Sequence, residues 1–178
     1  MKKFNKKGFT LIELLAVIAI LAILLLLVTP NILSMFNSGK ENSFVQQAER
    51  VLQAANTKYI SESLKENRAY VFSNVTKIGD KDIHEQVDDL GLSNNSVSYC
   101  VSIDNKGNVT GFSVSDGSYS ISKKNDSPYI TVDDITAKTN DTFTNLKANG
   151  DTGFVDKNSV IKAGTNGAAP TCATVTKK

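Results

Sequence analysis

The chain begins with a segregated pattern of apolar and charged positions. Residues 9–28 are apolar at 18 of 20 positions, and no charged side chain lies between Glu13 and Lys40. A helix of 20 residues is about 30 Å long, which matches the hydrocarbon core of a bilayer. The pattern therefore predicts a membrane-spanning helix over residues 9–30. Four lysines among the first eight residues predict that this flank stays in the cytoplasm and that the rest of the chain faces outward.

Helical periodicity continues beyond the apolar run. Apolar side chains recur at three- and four-residue spacing, at Phe44, Ala48, Val51, Leu52, Ala55, Tyr59 and Leu64. This stripe predicts an amphipathic continuation of the helix over residues 31–66, which ends near Asn67 and packs on a sheet of the same chain. Pro30 lacks a backbone donor, so we expect it to bend the helix in the turn before it.

The second half of the chain predicts an antiparallel meander. Residues 97–103 alternate apolar and small side chains, residues 109–114 and 119–121 favour two further strands, and turns at 104–107 and 116–117 separate the three. The alternation indicates one apolar face that meets the helix and one wet face. Ser98, Cys100 and Ser102 lie on the wet face.

Shorter elements are expected around the meander. Residues 70–72, 129–132 and 135–139 favour extended structure, residues 82–90 favour a short helix that ends at Gly91, and a short strand is expected within residues 154–161. The predicted fold class is α+β, in which a long N-terminal helix packs on an antiparallel sheet. Residues 67–178 form the β-rich head, with a loop between helix and sheet and a loop-rich C-terminal region.

Composition narrows the function classes. The 178 residues are 40% hydrophobic and 21% charged, which fits one globular domain plus an anchor. The net charge of +2 is too small to indicate a surface that binds a specific nucleic acid. His84 is the single histidine, so we expect a surface histidine and no enzyme. We also expect no cofactor or metal. A calcium site stays open at three acidic pairs, none of which has the spacing of an EF-hand loop: they are Asp88-Asp89, Asp133-Asp134, and Asp151 with Asp156.

Glu13 is the most informative residue of the apolar run. A carboxylate at mid-membrane costs roughly 2.5–3.5 kcal/mol on insertion scales, and less near a helix end. Its partner must come from the start of the chain or from another molecule, or Glu13 is a tolerated residue at the membrane interface. An ordinary signal peptide is disfavoured, because the residues after the run offer no small-residue cleavage site.

The segment Lys6-Lys7-Gly8-Phe9-Thr10-Leu11-Ile12-Glu13 resembles the class III leader and mature start of type IV prepilins. The resemblance extends from Lys2 to about Ile32 and includes Pro30, where these pilins commonly carry a helix-bending proline. It implies that residues 1–8 are a leader peptide. Prepilin peptidase would cut between Gly8 and Phe9 and then methylate the new amine of Phe9.

Further expectations follow from the same resemblance. The amine of Phe9 would pair with Glu13 of a neighbouring subunit, so the partners are other copies of the chain in a helical filament, prepilin peptidase, the assembly ATPase with its platform machinery, and membrane lipid before assembly. Pilins of this family often join their C-terminal region to the sheet by a disulfide. Cys100 and Cys172 are candidates for that bond in an exported head, and two unpaired thiols are the alternative.

Three functions compete at this point. The first is a structural subunit of a type IV pilus, held in the cytoplasmic membrane and then assembled at the cell surface for adhesion, aggregation or twitching motility. The second is a pseudopilin of a type II secretion or DNA-uptake system. The third is a membrane-tethered enzyme or binding protein, which the spacing of Gly8, Phe9 and Glu13 opposes.

Overall fold

The computed structural model describes residues 9–78, 80–92, 97–123, 129–138, 146–148, 160–164, 168–173 and 175–177. One long helix, α1, spans Leu11–Ser63 and contains 53 residues. The chain divides into two compact units, Met1–Lys40 and Glu41–Lys178. The first unit contains the apolar part of α1, and the second contains the rest of α1 and all of the strands.

The helix ends earlier than its periodicity predicts. It stops at Ser63 rather than near Asn67, and Leu64 is 85% exposed and contributes nothing to the apolar face. At this end the Glu62 carbonyl oxygen accepts from the backbone nitrogens of Lys65 and Glu66, at 2.9 and 3.0 Å, which closes the last turn. The hydroxyl of Tyr70 in the first strand lies 3.2 Å from the same oxygen and 2.9 Å from the carbonyl oxygen of Glu66, and it adds a side-chain donor to the helix end.

The amphipathic part of α1 packs as predicted. The buried members of the stripe are 6% exposed or less, and Tyr59 packs against them. They are Phe44, Ala48, Val51, Leu52 and Ala55. They meet the apolar side chains of one sheet face, and this contact forms the main core of the second unit.

The main sheet has five antiparallel strands in the order β1-β4-β5-β6-β7. Its strands are β1 (Tyr70–Ser73), β4 (Ser98–Ile103), β5 (Val109–Ser115), β6 (Tyr119–Lys123) and β7 (Ile135–Lys138). The predicted meander β4-β5-β6 is confirmed, and its turns use Gly107 and Gly117 at φ of 88° and 89°. Only glycine adopts such angles without strain.

Three two-stranded ribbons accompany the sheet, and each is antiparallel. They are β2 (Lys77–Ile78) with β3 (Lys81–Asp82), β8 (Leu146–Ala148) with β11 (Val175–Lys177), and β9 (Ile161–Lys162) with β10 (Thr171–Cys172). Most of the strand expected within residues 154–161 lies outside the described residues. The described part of that region enters β9 at Ile161.

The helix predicted for residues 82–90 is wrong. The segment contains the end of β3 and a single 3₁₀ turn, His84–Gln86. Asp88 instead pairs with β1, because its backbone nitrogen donates to Val71 O and its carbonyl accepts from Ser73 N, each at 2.9 Å. Those bonds take the backbone groups that a helix would have used.

The strand predicted for residues 129–132 is also wrong. Val132–Asp134 form a 3₁₀ turn, and the Thr131 nitrogen donates to Asp134 Oδ2 at 2.7 Å. The Lys123 ammonium lies 2.9 Å from the other oxygen of that carboxylate. These polar contacts fix a turn directly before β7.

The face expected to be wet is buried. Ser98 is 6% exposed and Cys100 is 0% exposed, because the chain from Ile83 to Val87 and the C-terminal residues lie over this side of the sheet. Ile83, Val87, Val160, Ile161, Cys172 and Ala173 form a second apolar cluster around Cys100.

Candidate functional site: the start of the N-terminal helix

The helix α1 begins with a reciprocal cap between Thr10 and Glu13. The backbone nitrogen of Thr10 donates to Glu13 Oε2 at 2.8 Å, and its hydroxyl donates to the same oxygen at 2.7 Å. The backbone nitrogen of Glu13 lies 3.4 Å from Thr10 Oγ1. This is a capping box, in which the residue before the helix and the third helical residue satisfy each other's groups.

The cap identifies the first partner of Glu13. Donors from the start of its own chain contact one carboxylate oxygen, Oε2. The other oxygen, Oε1, accepts no hydrogen bond from the part of the chain that the structure describes. The arrangement lowers the cost of placing this carboxylate in an apolar helix, since two donors replace water.

Sequence reasoning missed the role of Thr10, although the signal was present. A threonine followed three residues later by glutamate, directly before an apolar run, is the sequence signature of a capping box. Thr10 and Glu13 match this spacing.

The apolar part of α1 has no partner within the described chain. Its large side chains between Leu11 and Val28 are 46–83% exposed. The helix is long and apolar enough to cross a membrane, with a mean hydropathy of 3.3 over its most apolar window. An exposed apolar surface of this length needs lipid or other helices around it.

Pro30 lies inside α1, whose backbone continues as helix on both sides of it. One residue earlier, the Thr29 hydroxyl donates to the carbonyl oxygen of Leu25 at 2.6 Å. Threonine bonds of this kind often accompany helix bending, so they support the predicted bend, which stays a prediction. Gly8, the residue before the expected cut, lies outside the described residues, and Phe9 is 89% exposed at the edge of the helix.

The structure joins Cys100 of β4 to Cys172 of β10 in a disulfide, with the two Cα atoms 5.3 Å apart. The bond links chain positions 72 residues apart. It attaches the C-terminal segment to the middle of the main sheet, far along the chain from the helix start.

His84 lies on the surface, as expected. Its Nδ1 is 2.8 Å from Asp82 Oδ1, and this hydrogen bond raises the pKa of the imidazole above its ordinary value. Among the described contacts, its partners are the carboxylates of Asp82 and Glu85.

No group of three or more potential metal ligands occurs among the described residues. The carboxylate of Asp134 is engaged by Thr131 and Lys123. The candidates Asp151 and Asp156 lie outside the described ranges. What the sequence suggests about calcium at Asp151 and Asp156 therefore stays a prediction.

Comparison with known proteins supports the N-terminal assignment. Residues 3–29 match the family model described as the prokaryotic N-terminal methylation motif. Neither curated proteins nor solved structures gave a match. The match covers the leader, the expected cut and the apolar helix, and it marks a type IV pilin-like class III leader. The N-terminal segment is thus similar to that of pilin and pseudopilin precursors, and the rest of the chain forms an α+β head.

Proposed function

We propose that the chain is a structural subunit of a type IV pilus. The observation that carries the proposal is the start of α1, where an exposed apolar helix is preceded by Phe9 and capped by Thr10 and Glu13. The family match over residues 3–29 supports it independently. In this role the exposed helix is first covered by membrane lipid and then by the helices of neighbouring copies.

The cap suggests how the Glu13 carboxylate can bond its own helix start and a neighbouring subunit at the same time. Prepilin peptidase cuts between Gly8 and Phe9 and methylates the new amine, which keeps its positive charge at neutral pH. Glu13 Oε2 continues to cap its own helix, while Oε1 accepts the amine of Phe9 from an adjacent copy. A wrong axial register leaves both charges buried and unpaired, so the pair selects the correct register.

The rest of the proposed function is mechanical. An assembly ATPase and its platform extrude or retract the fibre, and the head is displayed at the cell surface for adhesion, aggregation or twitching motility. The head needs no cofactor and performs no catalysis in this role. Before assembly the chain resides in the cytoplasmic membrane with its head outside.

Mass spectrometry of the chain's N-terminus tests the proposal. Protein from the membrane fraction and from sheared surface material is expected to begin at Phe9 and to carry a methyl group on its amine. The variant Gly8→Val is the matched control, because a β-branched side chain hinders the close backbone approach that glycine permits. It is expected to stay uncut in the membrane. A mature start at Met1, or beyond residue 30, contradicts the proposal.

Electron microscopy with an antibody to the head then separates pilus from pseudopilus. Labelled fibres in sheared material from cells with ordinary expression support the pilus. Processed, methylated protein that forms no surface fibre, and whose loss abolishes secretion or DNA uptake, assigns the chain to a pseudopilus instead.

A further inference from the structure

The face of the main sheet that points away from α1 is built from small side chains. Register partners on four strands form one row across this face, and register partners on three strands form a second. The rows are Ser73-Cys100-Ser113-Ser122 and Ser98-Ser115-Ser120. Every member is buried, at 8% exposure or less. A face with so little side-chain apolar area gives a covering segment little hydrophobic adhesion.

The cover is the C-terminal strap, which we define as the described residues 160–164 and 168–173. The strap holds itself together through β9 and β10 and a bond from Ala173 N to Val160 O of 2.8 Å. Two of its contacts with the small-residue rows are bonds between named atoms. One is the disulfide from Cys172, and the other is a 2.7 Å hydrogen bond from the Ser122 hydroxyl to the carbonyl oxygen of Ala173.

Two further observations show how closely the strap lies on this face. A Cβ atom at Gly111 would come within 3.3 Å of Cys172 Cβ and 2.7 Å of Ser102 Oγ, so only glycine leaves room for the disulfide to cross β5. The buried hydroxyl of Ser113 finds no hydrogen-bond partner among the described residues. A buried polar atom without a partner opposes closure of the strap.

The large side chains of the strap belong to an apolar cluster that includes one member of the small-residue rows, Cys100. Val160 and Ile161 are 0% and 2% exposed, and they cluster with Ile83 and Val87. We call residues 83–87 the turn region. Among the buried members of this cluster only Cys100 belongs to the main sheet. The partly buried Val71 of β1 is the sheet's other contribution.

The main core does not depend on this second cluster. The helix–sheet cluster and the strap cluster share no buried residue. The turn region is also bounded on its C-terminal side, since Asp88 pairs with β1 and the Tyr99 hydroxyl donates to Asp89 Oδ1 at 2.6 Å. The strap and the turn region thus share an apolar cluster of their own, and the disulfide fixes the strap to the main sheet at Cys100.

We propose that Cys100–Cys172 is a redox latch, and that its reduction releases the strap and the turn of residues 83–87 while the helix–sheet core stays folded. A dithiol reductant supplies the two electrons and two protons. The Sγ–Sγ bond breaks, each cysteine becomes a thiol, and the dithiol closes to its own cyclic disulfide. With β4 to β7 folded, the released chain is the part between Lys138 of β7 and Cys172, and losing its cross-link raises the opening equilibrium of the strap by roughly several hundredfold in the chain-entropy model.

Hydrogen exchange of the full chain in detergent micelles, followed by mass spectrometry of its peptides, tests the latch. The oxidised chain is compared with chain treated with dithiothreitol, and alkylation of both thiols verifies that reduction is complete. Peptides covering residues 160–173 and 83–87 are expected to lose protection on reduction. Peptides from residues 41–63 and from β4 to β6 are expected to keep it.

The double variant Cys100→Ser, Cys172→Ser is the matched control. It is expected to exchange like the reduced wild type and to show no response to dithiothreitol. Unchanged protection of residues 160–173 after complete reduction overturns the latch. Loss of protection in residues 41–63 and β4 to β6 together with the strap overturns it as well, because the head then opens as one unit. A response of the double variant to dithiothreitol would show that the effect does not come from this disulfide.

Discussion

Replacing Glu13 by alanine separates membrane insertion from filament assembly. The substitution removes the carboxylate that accepts the Thr10 amide and hydroxyl at 2.8 and 2.7 Å. It also removes Oε1, which the proposed function assigns to the amine of a neighbouring Phe9. We expect the variant to insert, to be cut after Gly8, and to accumulate in the membrane as processed protein without fibres.

The free energies of the two steps explain why the substitution impairs assembly but not insertion. Losing the acceptor of the cap costs about 1 kcal/mol of helix stability, while removing a carboxylate from an apolar segment returns part of roughly 2.5–3.5 kcal/mol of insertion cost. Insertion is therefore unimpaired. Each assembled copy, in contrast, buries an amine without its partner, at about 3–5 kcal/mol. That cost weakens the subunit contact by at least about a hundredfold, since 1.4 kcal/mol corresponds to a factor of ten.

Two matched variants distinguish the charge from the cap. Glu13→Gln keeps a side-chain oxygen that can accept from Thr10 but removes the charge, so it is expected to fail in assembly like alanine. Thr10→Val keeps the charge of Glu13 and the backbone donor but removes the hydroxyl, so it is expected to reduce fibre yield only modestly. The assay is immunoblotting of membrane and sheared fractions, which reports processing and fibre yield together.

The reasoning is refuted by either of two results. Fibres at wild-type yield from Glu13→Gln would show that no charge pair forms at this carboxylate. A Thr10→Val variant as deficient as Glu13→Ala would show that the capping box, rather than a contact between copies, is what assembly requires.

Three further predictions concern the second unit. A chain lacking residues 1–35 is expected to be a soluble monomer with mixed helix and sheet, because Glu41–Lys178 contains its own core; a disordered circular dichroism spectrum would contradict this. In that soluble form, Gly111→Ala is expected to lower the free energy of unfolding by about 1–2 kcal/mol, because the new Cβ meets the disulfide; unchanged urea denaturation would count against it. Ser113→Ala removes a buried hydroxyl that has no partner among the described residues, so it is expected to raise the free energy of unfolding by about 1 kcal/mol. Ser122→Ala loses a 2.7 Å hydrogen bond, so it is expected to lower that free energy by about the same amount. Equal effects of the two variants on the melting temperature would show that the pairing of these hydroxyls is misassigned.

The parts of the fold that the sequence predicted are those determined by local pattern. The α+β class follows from a helical stripe and from strands that alternate between tight turns, and both patterns are readable within a few residues. The stripe from Phe44 to Ala55 and the turns at Gly107 and Gly117 are examples. At the N-terminus, Glu13 was recognised as a candidate from its place in the apolar run, whereas its cap with Thr10 was missed although the two residues lie within one helical turn.

The incorrect predictions occur where distant groups replace local ones. Residues 82–90 do not form a helix because Asp88 pairs with β1. A partner outside the segment thus overrides its helical propensity. The helix α1 ends at Ser63, where the Tyr70 hydroxyl of β1 contacts the carbonyl oxygens of Glu62 and Glu66.

The buried serine face is the most instructive of these cases. Serine alternating with large apolar residues is the usual pattern of a strand with one solvated side, so the sequence of β4 predicts exposure. The structure covers that side instead, with a segment about 70 residues further along the chain, joined through Cys172. A cysteine placed among serines, as Cys100 is, is compatible with such a cover, because small side chains let another backbone approach and the disulfide supplies the attachment that apolar area would otherwise provide. The small side chains that led to the prediction of a solvated face also allow the strap to approach the sheet closely. Because they offer the strap little apolar area, the proposed latch assigns its attachment to the disulfide.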